Sequence, residues 1–137
     1  MKILICDDDK MTMRILEFQF KREGFEIIKA VDGREARNIL NENDDIDLLI
    51  ADFYMPYVNG MELITHVRET LQRNTPIIII SVAKVEDKIQ QAFELGANAF
   101  VAKPFEAEEL MNEINKVMDK IDFGIWLKKK FSNTPAS

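Results

Sequence analysis

Short, unbroken apolar runs recur along the chain and predict buried β-strands. Five runs show little alternation between apolar and polar positions, and several are rich in β-branched residues. Strands that read as continuous apolar runs are typical of parallel sheets covered on both faces. The predicted strands are residues 3–6, 25–28, 46–51, 76–81 and 99–101.

Between these runs, apolar residues recur with the spacing of an α-helix. In the first such segment, Thr12, Ile15, Leu16 and Phe20 share one predicted face, and Gly24 follows as a stop signal. Asp32 is a predicted N-cap for the second helix. In the fourth, the predicted inner face includes Ala92 and Phe93. The predicted helices are residues 10–23, 34–43, 61–71, 84–95 and 105 to about 121.

The five strands and five helices alternate strictly, which predicts an α/β fold. Such alternation indicates a parallel sheet with helices on both faces and right-handed crossovers. For a doubly wound (βα)5 chain of this size, the flavodoxin-like strand order 2-1-3-4-5 is the leading choice. We therefore predict one five-stranded domain over residues 1–121.

Residues 122–137 fall outside this alternation, and the sequence leaves their role open. The stretch 125–131 is basic and aromatic, whereas residues 132–137 have the composition of a disordered end. Extension of the fifth helix, binding to a partner or anionic surface, and the start of a linker all remain open. A C-terminal extension or linker, partly disordered, is the favoured interpretation.

Composition and charge exclude several classes of function. The 137 residues carry a net charge of −6, which argues against direct nucleic-acid binding because phosphates would be repelled. Cys6 is the only cysteine, so an internal disulfide and a cysteine-based zinc site are excluded. No apolar stretch approaches the roughly 20 residues of a membrane helix, and no secretory signal is visible. We expect a cytoplasmic protein with no membrane association.

Acidic residues follow two predicted strands that should be neighbours in the sheet. Asp7, Asp8 and Asp9 follow the first strand and Asp52 follows the third. In open α/β sheets, ligands bind beyond the carboxyl ends of the strands at the point where strand order reverses. Crowded carboxylates repel one another, and a hard divalent cation with oxygen ligands relieves that repulsion. The pattern predicts an Mg²⁺ site.

Two further polar side chains follow the neighbouring strands. Ser81 ends the fourth strand and Lys103 follows the fifth. A lysine and a hydroxyl facing carboxylates and a metal ion can neutralise the charge on a phosphoryl group during its transfer. A carboxylate can then act as the nucleophile and hold the group as an aspartyl phosphate.

These motifs together resemble the response-regulator receiver family of bacterial two-component systems. The resemblance covers residues 1 to about 121. Each motif is weak alone, but all of them occur in order at the ends of the proper strands. The matching residues are Ile3 to Asp8, Asp52 to Pro56 with Gly60, Ser81, and Lys103 to Phe105.

The resemblance implies specific roles at the site. Asp52 would be the phosphoacceptor, and Asp8 and Asp52 would bind Mg²⁺ directly with the backbone carbonyl of Tyr54. Asp7 would act on the metal mainly through water, and Asp9 would be a cap or surface residue. Ser81 and Lys103 would contact the phosphoryl group, Phe100 would be the aromatic switch residue, and the Lys103–Pro104 bond would be cis.

The resemblance also implies partners. A histidine kinase or histidine phosphotransfer protein would donate the phosphoryl group, and a downstream protein would bind the surface of the fourth helix, fifth strand and fifth helix. A homodimer is left open. The chain would be a signalling domain rather than an enzyme, catalysing only its own phosphorylation and dephosphorylation. Tyr54 and Ala83 occupy positions that tune phosphoryl lifetime in this family, and they predict slow dephosphorylation.

Three other interpretations were weighed. A phosphorylation-independent module on the same fold would lose the acceptor, the acid pair or the lysine, and all are retained here. An aspartate-nucleophile phosphatase would place a second aspartate where Tyr54 stands, and a flavodoxin would carry a phosphate loop after the first strand.

His66, the only histidine, is predicted to be an ordinary helix residue.

Overall fold

A computed structural model describes residues 1–82 and 86–132. Its centre is a parallel five-stranded sheet in the order β2-β1-β3-β4-β5. This confirms the predicted α/β fold class and strand order. The strands are β1 Lys2–Cys6, β2 Glu26–Ala30, β3 Leu48–Asp52, β4 Ile77–Ser81 and β5 Ala99–Ala102.

Helices follow each strand, as predicted. The third helix passes into a π-helical turn, His66–Thr70, before β4. Lys84, which the sequence placed at the start of the fourth helix, and Val85 lie outside the described residues. The helices are α1 Lys10–Arg22, α2 Gly33–Glu42, α3 Gly60–Thr65, α4 Glu86–Leu95 and α5 Ala107–Ser132.

The sheet separates two hydrophobic cores, which explains why the central strands are apolar throughout. Leu4, Leu49 and Ile79 point to the side covered by α2, α3 and α4. Ile5 and Ile50 point to the opposite side, covered by α1 and α5. Because successive strand residues face opposite ways, a strand buried on both faces has no polar side.

The predicted inner faces of two helices need correction. On α1, Met13 is buried with Leu16 and Phe20, whereas Ile15 is 55% exposed. On α4, Ala92 is buried but Phe93 is 46% exposed. Both helices carry more apolar residues than one face can hold, so packing against the sheet selects which of them are buried.

Side-chain caps start the helices where the acidic residues predict them. The Asp32 carboxylate accepts the backbone N–H of Glu35 at 2.8 Å, confirming the predicted N-cap of α2. Asp9 caps α1 in the same way, accepting the N–H of Met11 at 3.1 Å. These caps satisfy amide groups that have no partner within the helix.

The last helix continues well beyond the predicted end near residue 121. It spans 26 residues, so residues 122–132 extend α5, one of the alternatives open for this segment. Residues 133–137 lie outside the described part, where the predicted disorder stays a prediction. Among the described residues, no helix is long and apolar enough to cross a membrane.

Candidate functional site

The register of β1 and β3 brings two aspartates to one edge of the sheet. Cys6 pairs with Ala51 in the parallel ladder, so Asp7 and Asp52 occupy equivalent places at the strand ends. Both are buried, with 1% and 7% of their surface exposed. Burying two carboxylates is costly unless a positive charge lies between them.

Asp8 completes an acidic cluster with these two residues. Carboxylate oxygens of Asp7, Asp8 and Asp52 lie within 4.8 Å of one another, and Asp8 is exposed to solvent. Three oxygen donors at this spacing, with one side open, suit a hard divalent cation that keeps some of its waters. The predicted metal-binding aspartates are therefore brought together.

Lys103 lies between the buried carboxylates. Its Nζ is 2.7 Å from Oδ2 of Asp7 and 2.7 Å from Oδ2 of Asp52. The Lys103–Pro104 peptide bond is cis, as the sequence resemblance implies. The lysine thus reaches the acceptor candidate from the end of β5, across the neighbouring strand β4.

Burial and ion pairing have opposite effects on the pKa of Asp7 and on the pKa of Lys103. Burial raises the pKa of the Asp7 carboxyl, and the Lys103 hydrogen bond only partly offsets that effect. Desolvation lowers the pKa of the Lys103 ammonium, but the hydrogen bonds that it donates to Asp52 and Asp7 outweigh this effect and raise the pKa above its usual value. Lys103 therefore stays charged between Asp7 and Asp52, and Asp8 adds a third carboxylate that the lysine does not pair with among the described contacts.

Asp9 is separated from the cluster by its role as a cap. Its carboxylate accepts hydrogen bonds from Thr12 Oγ1 at 2.6 Å and from the Met11 amide. These bonds lower the pKa of the Asp9 carboxyl, the Thr12 bond being the largest cause. The expectation that Asp9 is a cap rather than a metal ligand agrees with this geometry.

Ser81 and Phe100 lie on the neighbouring strands β4 and β5. Ser81 ends β4, is 1% exposed, and accepts the Lys103 amide through its backbone carbonyl at 2.8 Å. Phe100 is half-buried on β5 and packs against the core beneath α2, α3 and α4. Both predicted switch residues are therefore on the strands that adjoin the acidic edge.

Tyr54 follows Asp52 closely. Its backbone N–H donates to Oδ1 of Asp52 at 3.0 Å, which orients that carboxylate. The Tyr54 ring packs edge-on against Phe53, with 4.9 Å between ring centroids, and is 47% exposed. The ring thus stands at the surface, two residues beyond the acceptor candidate.

A close backbone contact holds the loop that carries Tyr54, and sequence reasoning missed it. A Cβ atom on Gly33 would lie 1.7 Å from the carbonyl oxygen of Val58, so only glycine allows the loop to pack on the start of α2. Met55 of the same loop lies against Cys6, with 2.9 Å between their sulfur atoms. The sequence offers one signal for this contact, a glycine directly after the Asp32 cap. A glycine at that place is equally well explained by the start of a helix.

His66 is remote from the strand ends, as predicted. Its Nε2 lies 2.7 Å from Oδ1 of Asn41, a contact between α2 and the π-helical turn. Desolvation lowers the pKa of this imidazole, with Arg37 and Arg73 adding to the effect. It supports helix packing and takes no part in the acidic cluster.

Known proteins are similar to this chain over most of its length. The family model of the response regulator receiver domain matches residues 3–115. The chain is 37% identical over 117 residues to the transcriptional regulatory protein CpxR of Escherichia coli strain K12, covering 85% of this chain and 49% of CpxR. It is 32% identical over 120 residues to a chemotaxis protein CheY homolog of Campylobacter jejuni, covering 86% of this chain and 92% of that protein.

Solved structures give the same result. The receiver domain of Francisella response regulator 1452 superposes with a TM-score of 0.79 at 30% identity, covering 88% of this chain and 98% of that one. CheY in the CheX-CheY-BeF3-Mg complex of Borrelia burgdorferi gives 0.79 at 30% identity, covering 85% and 88%. The chain spans about half the length of the CpxR relatives and most of the CheY homologues. It belongs to the response regulator receiver domain family.

Proposed function

We propose that Asp52 is the residue that carries the phosphoryl group of this two-component phosphoacceptor switch. The observation that carries the proposal is the position of Lys103, whose ammonium lies 2.7 Å from both Asp52 and Asp7. That ammonium can bind a phosphoryl oxygen as the group arrives on Asp52. Asp52 also has the central place in the site, between β1 and β4 in the sheet.

The donor set supports Mg²⁺ as the cofactor. Asp7, Asp8 and Asp52 present oxygen atoms only, and one lysine does not balance their three charges. We assign Asp8, Asp52 and the backbone carbonyl of Tyr54 as direct ligands, with Asp7 acting mainly through water. The bound ion would neutralise charge on the phosphoryl oxygens during transfer.

The chain's own residues then account for the chemistry of transfer. An Asp52 oxygen attacks phosphorus, a new P–O bond forms, and the bond from phosphorus to the donor breaks with its electron pair leaving on the donor. Lys103 stabilises the charge on the transferred oxygens, and Ser81 donates its hydroxyl to one of them afterwards. The domain thereby promotes its own phosphorylation and dephosphorylation.

The same geometry supports the proposed partners. Asp8 is exposed at the open side of the cluster, so a phosphohistidine of a histidine kinase or histidine phosphotransfer protein can reach Asp52. Such donors draw on ATP, and we place the protein in the cytoplasm for that reason. The downstream partner would bind the surface of α4, β5 and α5, where Phe100, Ile89 and Glu109 line a groove. Residues 1–121 would form the receiver domain and 122–137 an extension.

Intact-mass measurement after treatment with acetyl phosphate and Mg²⁺ tests the acceptor. The wild type should gain one phosphoryl group, and Asp52→Asn should gain none. Asp9→Asn is the matched control, because it removes a nearby carboxylate outside the cluster, and it should be labelled like the wild type. Equal labelling of Asp52→Asn would contradict the assignment.

A further inference from the structure

The C-terminal part of α5 exposes several large apolar side chains. Val117 is the last buried residue of this helix, and Ile121 is the last that packs against the core. Beyond it, the exposed fractions are 60% for Phe123, 51% for Trp126 and 64% for Phe131. Exposed aromatic residues concentrated in three helical turns indicate an interaction surface.

Four residues form a stripe along one side of this segment. Asp119, Phe123, Trp126 and Lys130 follow a spacing of four, three and four residues, which keeps them on one helix face. Phe123 comes nine residues after the buried Ile114, or about half a turn away from the core face at 3.6 residues per turn. We call these four residues the outer stripe.

The outer stripe is already ordered within one molecule. The rings of Phe123 and Trp126 stack with 5.8 Å between their centroids. The Lys130 ammonium lies 5.0 Å from the centre of the Trp126 ring. A surface that is ordered before binding loses less side-chain entropy when a partner covers it.

The order of chemical types in the outer stripe reads acid, aromatic, aromatic, base. A second copy of the same helix, turned antiparallel, places Lys130 beside Asp119 and Trp126 beside Phe123. Two-fold symmetry makes each of these contacts twice, which is the property of a self-complementary interface. We propose that the outer stripe pairs two copies of this chain through an antiparallel contact between their α5 helices.

Charge favours a second copy over an anionic surface as the occupant. Lys128, Lys129 and Lys130 make the end of α5 basic, but the whole chain carries a net charge of −6. An anionic membrane would offer no positive charge to pair with Asp119 in the stripe. A second copy presents a basic end to Asp119 and an acidic residue to Lys130.

The contact predicts a weak, concentration-dependent dimer. Two three-turn helix segments bury less than the roughly 1,600 Å² of a standard protein interface. Sedimentation equilibrium over a wide concentration range should therefore show monomers that associate reversibly to dimers. The only tryptophan of the chain is Trp126, so its fluorescence should shift to the blue over the same concentrations.

Charge exchange tests the antiparallel arrangement directly. Asp119→Lys and Lys130→Asp each create like charges at both symmetric contacts, and each should weaken dimerisation about tenfold. The double variant D119K/K130D restores opposite charges and should dimerise like the wild type. An equal mixture of the two single variants should form heterodimers, because each supplies the charge that the other needs.

Lys128→Asp is the matched control, since it makes the same charge change outside the outer stripe and should leave the dimer intact. Asp52→Asn should also dimerise normally, so failure of this proposal and failure of the phosphoacceptor assignment are distinguishable. A chain that stays monomeric at every concentration would overturn the proposal. A dimer whose affinity did not change in the charge-exchange variants would also overturn it. So would a monomer whose Trp126 fluorescence changes only when anionic phosphatidylglycerol vesicles are added.

Discussion

At the scale of single residues, the site is defined by an imbalance of charge around Lys103. One ammonium, 2.7 Å from each of two buried carboxylates, compensates part of a cluster of three. The ion pairs keep the acceptor candidate and its neighbour together, and the excess negative charge attracts a cation. The same lysine therefore stabilises the ground state and is placed to receive a phosphoryl oxygen.

Asp8 and Asp9 adjoin in sequence but should differ in metal binding. Asp8→Ala removes an oxygen of the acidic cluster and should weaken Mg²⁺ binding by at least about tenfold. Asp9→Ala removes the α1 cap and should instead lower the free energy of unfolding, with near-normal Mg²⁺ affinity. NMR titration with Mg²⁺ and urea unfolding separate the two effects. Equal loss of affinity in both variants would contradict the ligand assignment.

Tyr54 should set part of the lifetime of the aspartyl phosphate. Its backbone N–H binds the Asp52 carboxylate and its ring is exposed, so we expect the ring to shield phosphorus from the water that hydrolyses the phosphoryl group. Tyr54→Ala should shorten the lifetime several-fold, measured as decay of the phosphorylated mass in Mg²⁺ buffer. Tyr54→Phe keeps the ring and should decay like the wild type. Faster decay of both variants would assign the effect to the hydroxyl instead. Ala83, the other lifetime position, lies outside the described residues.

At the scale of elements, short polar contacts set how helices and loops dock on the sheet. Glu17 on α1 binds Lys21 of the same helix at 2.7 Å and Lys29 of β2 at 2.8 Å. The Arg68 guanidinium donates to the carbonyls of Thr75 and Gly96, tying the π-helical turn to the ends of β4 and α4. The Glu17 contacts join α1 to β2 by charge, and the Arg68 contacts join neighbouring elements through backbone carbonyls.

The Glu17 ion pairs should make stability depend on acid pH. Hydrogen bonds from Lys21 and Lys29 lower the pKa of Glu17 to about 2. Because the folded-state pKa is depressed, the stabilisation is complete above the ordinary glutamate pKa of 4.5 and is lost as pH falls toward about 2.

Urea unfolding of Glu17→Gln against the wild type checks this dependence. The difference in unfolding free energy should be constant near neutral pH and should shrink as pH falls between about 4.5 and 2. Glu23→Gln, an exposed carboxylate at the end of the same helix, is the control. A difference for Glu17→Gln that stays constant across this range would show that the ion pairs contribute nothing.

At the scale of the whole molecule, the fold concentrates like charges at one edge of a sheet whose middle strand, β3, is apolar up to Asp52. Asp7 and Asp52 are buried beside the ends of strands whose residues fill both cores. Repulsion within this cluster opposes folding, and a bound cation would reverse that effect. Metal binding and global stability should therefore be coupled.

Mg²⁺ should raise the thermal unfolding temperature of the wild type. At free Mg²⁺ about ten times its dissociation constant, the gain is about 1.4 kcal/mol, or several degrees. Asp8→Asn should unfold at a higher temperature than the metal-free wild type, because it removes one of the repelling charges, and should respond little to Mg²⁺. Differential scanning calorimetry with and without EDTA measures both effects. If Mg²⁺ raised the unfolding temperature of Asp8→Asn as much as that of the wild type, the acidic cluster would not be the site where Mg²⁺ binds.

Much of the fold was predictable because its signals are local. Apolar runs, helical spacing and stop signals such as Gly24 predicted the five β-α units and their order in the sheet. Rotation of the helices was not predictable: α1 buries Met13 and exposes Ile15, since the sheet accepts only one of two overlapping apolar faces. The continuation of α5 past residue 121 also lay among open alternatives, because residues 122–131 add no side chain to the buried core whose spacing a sequence pattern would reflect.

The sequence by itself determined which chemistry the protein carries, because strand ends with aspartates, a serine and a lysine can be read in order along the chain. Only the tertiary structure decided how these groups share charge: Asp7, Asp52 and Lys103 come from residues up to 96 positions apart and meet at 2.7 Å. It also decided that Gly33 must be glycine, through the carbonyl of Val58. Such contacts depend on the separation of atoms in space, which a one-dimensional pattern of residue types does not contain.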